Sequence, residues 1–150
     1  MDKDAKIYVA GHSGLLGTAL VRMLRERGHE RLVLRSSAEL DLRRQADVEA
    51  FFERERPQVV FLAAARVGGI WANMNHPAPF LYDNLMIQTN VIHAAWRFAA
   101  ERLLFVSSSC SYPRLCPQPM REEFILTGPP EPTNEAYAIA KISGMKMIEA

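Results

Sequence analysis

Four side chains in the second half of the chain have the types and spacing that proton transfer at a carbonyl group requires. Tyr137 and Lys141 are four residues apart, so a helix would place both on one face. A neighbouring ammonium group favours the phenolate and lowers the pKa of a tyrosine, which makes Tyr137 a candidate proton donor or acceptor for a carbonyl and alcohol pair. Taken alone, this spacing is common by chance and usually belongs to an ordinary helix surface.

Ser108 and Cys110 complete the set, in a serine-rich run that follows a predicted strand. Ser108 could hydrogen-bond a substrate carbonyl beside Tyr137, or it could only cap a turn. Cys110 could remove a proton from the carbon beside a ketone once its thiol ionises, or it could be a small buried side chain. The residue types leave both alternatives open.

A glycine-rich turn near the start of the chain predicts a nucleotide site. Three glycines follow the first predicted strand and open the first predicted helix. Such glycines let a pyrophosphate approach backbone N–H groups, and the helix N-terminus adds donors and a partial positive charge. The alternative is a turn with only a packing role. The predicted cradle consists of Gly11, His12, Ser13, Gly14, Leu15, Leu16 and Gly17.

The end of the second predicted strand bears on the choice between NAD and NADP. An NAD site usually carries Asp or Glu there, whereas this chain has Arg35, Ser36 and Ser37. A guanidinium and two hydroxyls suit a 2′-phosphate, and the sequence shows no carboxylate there, so we predict NADP(H). Arg35 could instead face solvent. Asp41 and Leu42 could border the adenine, although Asp41 could equally start the next helix.

Short apolar strands alternate with helical patterns along the chain. This alternation predicts an α/β fold with a doubly wound, Rossmann-like parallel sheet, in a single domain over residues 1–150. We expect strands at 6–10, 32–34, 59–62 and 103–106, and helices at 15–27, 46–55 and about 79–100, with a last helix carrying Tyr137. Gly28 should end the first helix, whose apolar face reads Leu16, Leu20, Met23 and Leu24. The second helix should bury Val48, Phe51 and Phe52.

Composition and charge argue against several other classes of protein. Lys and Arg number 18 against 17 Asp and Glu, so no basic field points to nucleic acid. No apolar run approaches the ~18 residues of a membrane span, and the charged N-terminus does not suggest a signal peptide. Two cysteines outside any metal-binding pattern suggest reduced thiols in a cytoplasmic protein without a metal site, with a disulfide between Cys110 and Cys116 as the alternative.

Longer motifs resemble a known family. The glycine turn, the run 62–65 and the Tyr-x-x-x-Lys motif resemble the extended short-chain dehydrogenase/reductase family. The runs 64–73, 108–113 and 131–141 are similar to its GDP-L-fucose synthase branch, and the similarity covers essentially the whole chain. The resemblance implies epimerisation of GDP-4-keto-6-deoxy-D-mannose at C3 and C5, followed by reduction of its C4 ketone with NADPH.

The resemblance also implies a role for each reacting residue. Tyr137 would donate the proton at C4, with Lys141 as its partner and as a ligand of the nicotinamide ribose. Ser108 would bind the C4 oxygen, and Cys110 would act as one acid/base of the epimerisation. Further cofactor contacts are expected after the third and fourth strands, at Ala63, Ala64, Ala65, Val106, Ser107, Ser108 and Ser109.

The chain departs from this branch in two ways. Many bacterial members have arginine where this chain has Ser13 and Ser37, so the NADP preference rests on Arg35 and the hydroxyl groups. Family members are also much longer, and their second half carries further strands, a substrate domain and a histidine that pairs with Cys110. We therefore expect a sheet that is incomplete at its C-terminal edge. None of the four histidines of this chain stands at the position of that partner, and His93, on an apolar helix face, is expected to be a core residue.

Two alternatives stay open beside the GDP-sugar enzyme. One is a truncated, non-catalytic nucleotide-binding module, and the other is an NAD-dependent sugar-nucleotide 4-epimerase or dehydratase. The family commonly pairs two copies through the helix at about 79–100, so we expect a homodimer in the complete enzyme.

Overall fold

Parallel strands alternate with helices in the computed structural model, which describes residues 1–150. The backbone divides into two units, one of residues 1–65 and 86–106 and the other of residues 66–85 and 107–150. The strands are β1 (Ile7–Ala10), β2 (Leu32–Val33), β3 (Val59–Leu62) and β4 (Arg102–Phe105). The helices are α1 (Leu15–Glu26), α2 (Gln45–Glu55), α3 (Ile70–Asn75), α4 (Pro77–Arg97) and α5 (Glu135–Glu149). Of these strands and α-helices, the sequence prediction missed only the short helix α3.

The four strands form one parallel sheet in the first unit, with the order β2-β1-β3-β4. Ile7 pairs with Leu32 on one side and with Val59 on the other, and Val59 pairs with Arg102. This order is the start of the doubly wound order 2-1-3-4-5, in which ligands bind beyond the carboxyl ends of the strands where the order reverses. The reversal falls between β1 and β3, so the α/β Rossmann-like prediction is confirmed.

Helices α1 and α2 cover opposite faces of this sheet. One face is a cluster of buried side chains from the strands and α1, namely Ala5, Ile7, Val9, Val21, Leu24 and Val59. Side chains alternate along a strand, so Tyr8 points to the other face. There its ring lies 4.6 Å from that of Phe51 and 5.9 Å from that of Phe52, measured between centroids. The predicted core residues of α2 are therefore confirmed.

The buried face of α1 differs from the predicted one. The residues that α1 buries are Gly17, Val21 and Leu24, while Leu16 and Met23 remain 45% and 38% exposed. Gly17 faces the turn after β1, where a Cβ would collide with the carbonyl oxygen of Gly11, so α1 turns this small residue rather than Leu16 inward. Only Leu24 was assigned correctly to the buried face.

Two helices end in the same hydrogen-bond motif. Gly28, with φ of 80°, donates to the carbonyl of Arg25, and His29 donates to Leu24, so Gly28 ends α1 as predicted. At the end of α4, Ala99 takes the same left-handed conformation, with φ of 57°, and its N–H donates to the Trp96 carbonyl. This alanine explains why α4 stops at Arg97 rather than at the predicted residue 100.

β4 forms one edge of the sheet. Its side chains alternate in exposure, and Leu104 is 50% exposed, as expected for an edge strand without a further neighbour.

On α4, His93 is half-buried beside Trp96, with ring centroids 5.6 Å apart, so the prediction of a core histidine is wrong. No helix is both long enough and apolar enough to cross a membrane.

Candidate active site

Two glycines of the predicted cradle leave no room for a side chain. Gly11 has φ of 83°, and a Cβ there would lie 2.7 Å from the backbone nitrogen of Ala64. A Cβ at Gly17 would collide with the carbonyl oxygen of Gly11. The turn, the backbone after β3 and the first turn of α1 thus approach one another closely. This geometry is the one that a dinucleotide fingerprint requires, and it fits the predicted cofactor.

The N-terminus of α1 presents backbone donors and exposed side chains beside this turn. Gly14 caps α1 without a side chain, and Leu15 is 97% exposed. An open cleft of about 360 Å³ is lined by Ser13, Gly14, Leu15, Thr18, Ala19 and Arg22. The Nδ1 atom of His12 is buried without a hydrogen-bond partner. An uncapped helix start and an unpaired buried nitrogen are features that a bound phosphate can satisfy.

One carboxylate, that of Glu39, lies at the end of the second strand, where the sequence predicted none, and the side chain of Arg35 is held by another carboxylate, that of Glu55. Arg35 is half-buried, and its Nη2 atom lies 3.2 Å from Oε1 of Glu55. Glu39 accepts hydrogen bonds from the N–H and the hydroxyl of Ser36, at 2.8 and 2.7 Å. These two hydrogen bonds hold the pKa of Glu39 below its ordinary value. The absence of a carboxylate was therefore a wrong prediction, because the turn after β2 brings Glu39 back to Ser36.

The remaining residues predicted near the adenine have structural contacts of their own. Asp41 accepts hydrogen bonds from the backbone N–H and the guanidinium of Arg43, which lower its pKa to about 2. The cap of α2 is Arg44, so Asp41 does not start that helix. Leu42 is buried, and its carbonyl accepts a hydrogen bond of 2.9 Å from Nδ2 of Asn90. An adenine contact at Asp41 and Leu42 stays a prediction.

The segments after β3 and β4 begin at the same edge of the sheet as the glycine turn. Ala63 donates its N–H to the carbonyl of Ala10, and Val106 donates its N–H to the carbonyl of Leu62. Ala63, Ala64 and Ala65 are all half-buried. The parallel register therefore places the predicted cofactor residues of the first unit at the carboxyl ends of the strands.

In the second unit, Ser108 starts a 3-10 helix over Ser109–Ser111. Its hydroxyl oxygen accepts a hydrogen bond of 3.2 Å from the N–H of Cys110. The same side chain is hydrogen-bonded to Tyr137, which counteracts the rise in the pKa of that phenol. Ser107 and Ser111 are joined through their hydroxyls at 3.2 Å, and Ser109 is exposed. Ser108 therefore both caps the turn and contacts the tyrosine.

Cys110 is hydrogen-bonded to a residue that the sequence analysis did not single out. Nδ2 of Asn134 donates to Sγ of Cys110 at 3.0 Å, and Cys110 is half-buried. Asn134 stands at the N-cap of α5, yet its side chain does not cap that helix. A small apolar side chain would be expected among apolar neighbours, whereas the sulfur of Cys110 accepts a hydrogen bond from a polar group.

Burial controls the protonation of Tyr137 and Lys141. Lys141 is only 3% exposed, and desolvation lowers its pKa to about 8. Its Nζ atom lies 5.7 Å from the centroid of the Tyr137 ring. Burial raises the pKa of Tyr137, and the negative charge of ionised Cys110 raises it further. The predicted lowering by Lys141 is wrong, because desolvation disfavours the charged forms of both groups.

The second unit thus brings together all four reacting residues that the sequence predicted, and it adds Asn134. The signal for Asn134 in the sequence is its place immediately before the helix that carries Tyr137. No group of three or more His, Cys, Asp or Glu side chains in the structure could hold a metal ion. The arrangement can exchange protons at carbon through a thiol and at oxygen through a phenol.

Comparison with known proteins points in the same direction. The chain is 59% identical over 149 residues to GDP-L-fucose synthase 1 of Arabidopsis thaliana, and this alignment covers 99% of this chain and 46% of that protein. It is 51% identical over 145 residues to GDP-L-fucose synthase of Escherichia coli, covering 97% of this chain and 45% of that protein. The chain therefore spans a little less than half the length of these relatives.

A solved structure is similar over the same region. MlghC, a GDP-mannoheptose C4 reductase from Campylobacter jejuni with NADP bound, superimposes with a TM-score of 0.95 at 43% identity. The match covers 98% of this chain and 46% of that one. Residues 7–150 match the model of the NAD dependent epimerase/dehydratase family. Since this match runs from the first strand to the last residue, the chain belongs to that family, and the resemblance inferred from its motifs is confirmed.

Proposed function

We propose that this chain supplies the nucleotide cradle and the reacting side chains of an NADPH-dependent enzyme that converts GDP-4-keto-6-deoxy-D-mannose into GDP-L-fucose. The grouping of Ser108, Cys110, Tyr137 and Lys141 in one unit carries this proposal, because it combines a thiol for exchange at carbon with a phenol for exchange at oxygen. Relatives that bear the name of this activity, at 59% and 51% identity, support the choice of substrate.

Cys110 acts in the epimerisation. As a thiolate it takes the proton from C3 or C5, the carbons on either side of the C4 ketone, and the bonding electrons move onto the C4 oxygen. Ser108 donates a hydrogen bond to that oxygen and so stabilises the enolate. Inversion is completed when a second acid returns a proton to the opposite face of the carbon. The resemblance assigns that second role to a histidine outside residues 1–150.

Tyr137 acts in the reduction. When bound, NADPH supplies the hydride that reduces the C4 ketone. The glycine turn at 11–17 holds its pyrophosphate, which the exclusion of side chains at Gly11 and Gly17 supports. Tyr137 gives its phenolic proton to the C4 oxygen, and its raised pKa keeps that proton in place at neutral pH. Lys141 holds the nicotinamide ribose.

The proposal extends to assembly and location. Residues 1–150 act as the dinucleotide-binding part of the enzyme, and two copies pair through α4. The 77% exposure of Trp96 on that helix supports such a contact. A Trp96→Glu variant should elute as a monomer, and a wild-type protein that is already monomeric would contradict the pairing. We place the reaction in the cytoplasm, where Cys110 and Cys116, both free thiols, stay reduced.

The test separates the two halves of the reaction. Full-length protein is supplied with GDP-4-keto-6-deoxy-D-mannose and NADPH in D₂O, and the product is examined for deuterium at C3 and C5. Cys110→Ser should lose deuterium incorporation but still reduce a ketone that has already been epimerised, while Tyr137→Phe should show the reverse. Cys116→Ser is the matched control and should keep both steps. Loss of both steps together in Cys110→Ser would contradict the division of roles.

One observation favours a second candidate, an NAD-dependent sugar-nucleotide 4-epimerase or dehydratase. Glu39 occupies the N–H and the hydroxyl of Ser36, and a carboxylate at this point is what an NAD site uses to hold the ribose. Isothermal titration with NADPH and with NADH decides between the two candidates. Tighter binding of NADPH supports the synthase, whereas NAD retained through purification supports the second candidate.

A further inference from the structure

Asn134 contacts the sulfur of Cys110 instead of serving its own helix. An asparagine at an N-cap ordinarily accepts a hydrogen bond from an N–H in the first helical turn. Here the side chain makes no such bond, and its Nδ2 atom donates to Sγ of Cys110 at 3.0 Å. Its Oδ1 atom is buried without a partner. The Asn134 side chain therefore does not cap α5. Its N–H contacts the sulfur of Cys110, and its oxygen has no hydrogen-bond partner.

The arrangement suits an ionised sulfur. A thiolate can only accept hydrogen bonds, and a hydrogen bond to a charged acceptor is stronger than one to a neutral acceptor. Because Asn134 is the N-cap of α5, the sulfur also lies at the start of a 15-residue helix. The partial positive charge at that end favours a negative group, and cysteines at helix N-termini are typically activated in this way.

The backbone around Asn134 holds the amide in place. Its own N–H donates to the carbonyl of Glu131 at 3.1 Å. The Glu131 carboxylate accepts from the N–H of Thr133 and forms an ion pair with Arg114, with 3.2 Å between Nε and Oε2. Asn134 therefore has a fixed backbone and a side chain whose donor is directed at one atom.

We propose that Asn134 is a positioning residue that orients the Cys110 side chain and stabilises its thiolate for proton transfer at carbon, with no part in the reduction at Tyr137. The stabilisation of the thiolate can be tested without any substrate. The use of that thiolate in epimerisation rests on the proposed function.

The first experiment measures the thiolate without any substrate. In a chain carrying Cys116→Ser, Cys110 is the only thiol, since the sequence has two cysteines. The rate of its alkylation by iodoacetamide is followed against pH. Asn134→Leu, similar in size, should slow alkylation at neutral pH by about tenfold and displace the rate profile to higher pH, as expected for the loss of one charge-assisted hydrogen bond. Asn134→Asp, with a carboxylate facing the sulfur, should slow it further.

The matched control is Asn75→Leu. Asn75 is an exposed asparagine of the same unit that donates only to a backbone carbonyl, that of Trp71, at 2.8 Å. This variant should alkylate like the parent chain. Thermal unfolding of every variant shows whether it is folded, and if Asn134→Leu does not fold, the isosteric Asn134→Asp decides. Unchanged alkylation in a folded Asn134 variant, or an equal change in the control, would overturn the proposal.

The second experiment places the residue in the reaction. With full-length protein and GDP-4-keto-6-deoxy-D-mannose in D₂O, Asn134→Leu should lower deuterium incorporation at C3 and C5 about tenfold. It should reduce an already epimerised ketone at the parent rate. If the wild-type protein turns over the substrate and Asn134→Leu incorporates deuterium at the same rate, this inference is refuted while the proposed function stands. A clear effect on alkylation in a protein that does not use the substrate refutes the proposed function alone.

Discussion

Replacing Lys141 with methionine is expected to stabilise the folded chain at neutral pH. The ammonium is 3% exposed, and burial lowers its pKa from an ordinary 10.5 to about 8. At about 1.4 kcal/mol for each pH unit, this difference corresponds to about 3 kcal/mol of folding free energy lost by holding the charge inside. Methionine has a similar length and no charge, so Lys141→Met should recover that energy, less the contacts that the ammonium makes, among them the one with the Tyr137 ring.

The pH dependence gives this prediction its sharpest form. Between pH 8 and 10.5 the unfolded lysine binds a proton that the folded one has released, so the stability of the parent chain rises with pH across that window. The advantage of Lys141→Met is therefore full below pH 8 and disappears by about 10.5. Urea unfolding at several pH values measures it, with Lys146→Met, an exposed lysine of the same helix, as the control. A Lys141→Met protein less stable than the parent at pH 7, or an advantage that does not change with pH, would refute the reasoning.

Three further changes test other parts of the structure. Gly17→Ala should abolish NADPH binding in isothermal titration, because its Cβ collides with the glycine turn, whereas Gly69→Ala meets open space and should bind like the parent; equal binding by both would count against the cradle. Glu39→Gln removes a negative charge from the end of β2 and should tighten NADPH binding severalfold without tightening that of NADH, and the opposite preference would argue for an NAD site. Ala99→Gly removes the steric cost of a left-handed alanine and should raise the free energy of unfolding by about 0.5–1 kcal/mol in urea; a decrease would show that the helix end is not strained.

The features that the sequence predicted are those that depend on short stretches of chain. The strands at 7–10 and 59–62 are continuous apolar runs, and the glycine turn lies between a strand and a helix, so local pattern identifies each of them. Gly28 likewise ends α1 because only a residue tolerant of positive φ fits there easily. The parallel sheet follows from the alternation of such elements.

The features that the sequence missed depend on packing between distant residues. Glu55 lies 20 residues after Arg35 and meets it only because α2 returns along the sheet. The pKa of Tyr137 was predicted to fall because of one neighbour, but burial raises it, and burial is a property of the folded chain. The contact between Asn134 and Cys110 could not be predicted for a similar reason. An N-cap asparagine is expected to hydrogen-bond to its own helix rather than to a sulfur 24 residues away.

The repulsion between ionised Cys110 and the phenolate of Tyr137 imposes an order on events. A charge on the sulfur makes the phenol harder to ionise, because it raises the pKa of Tyr137 beyond the effect of burial. The site therefore favours one anion at a time. On the roles proposed above, a charged sulfur keeps the proton on the phenol, so the proton that the reduction needs stays available while Cys110 acts at carbon.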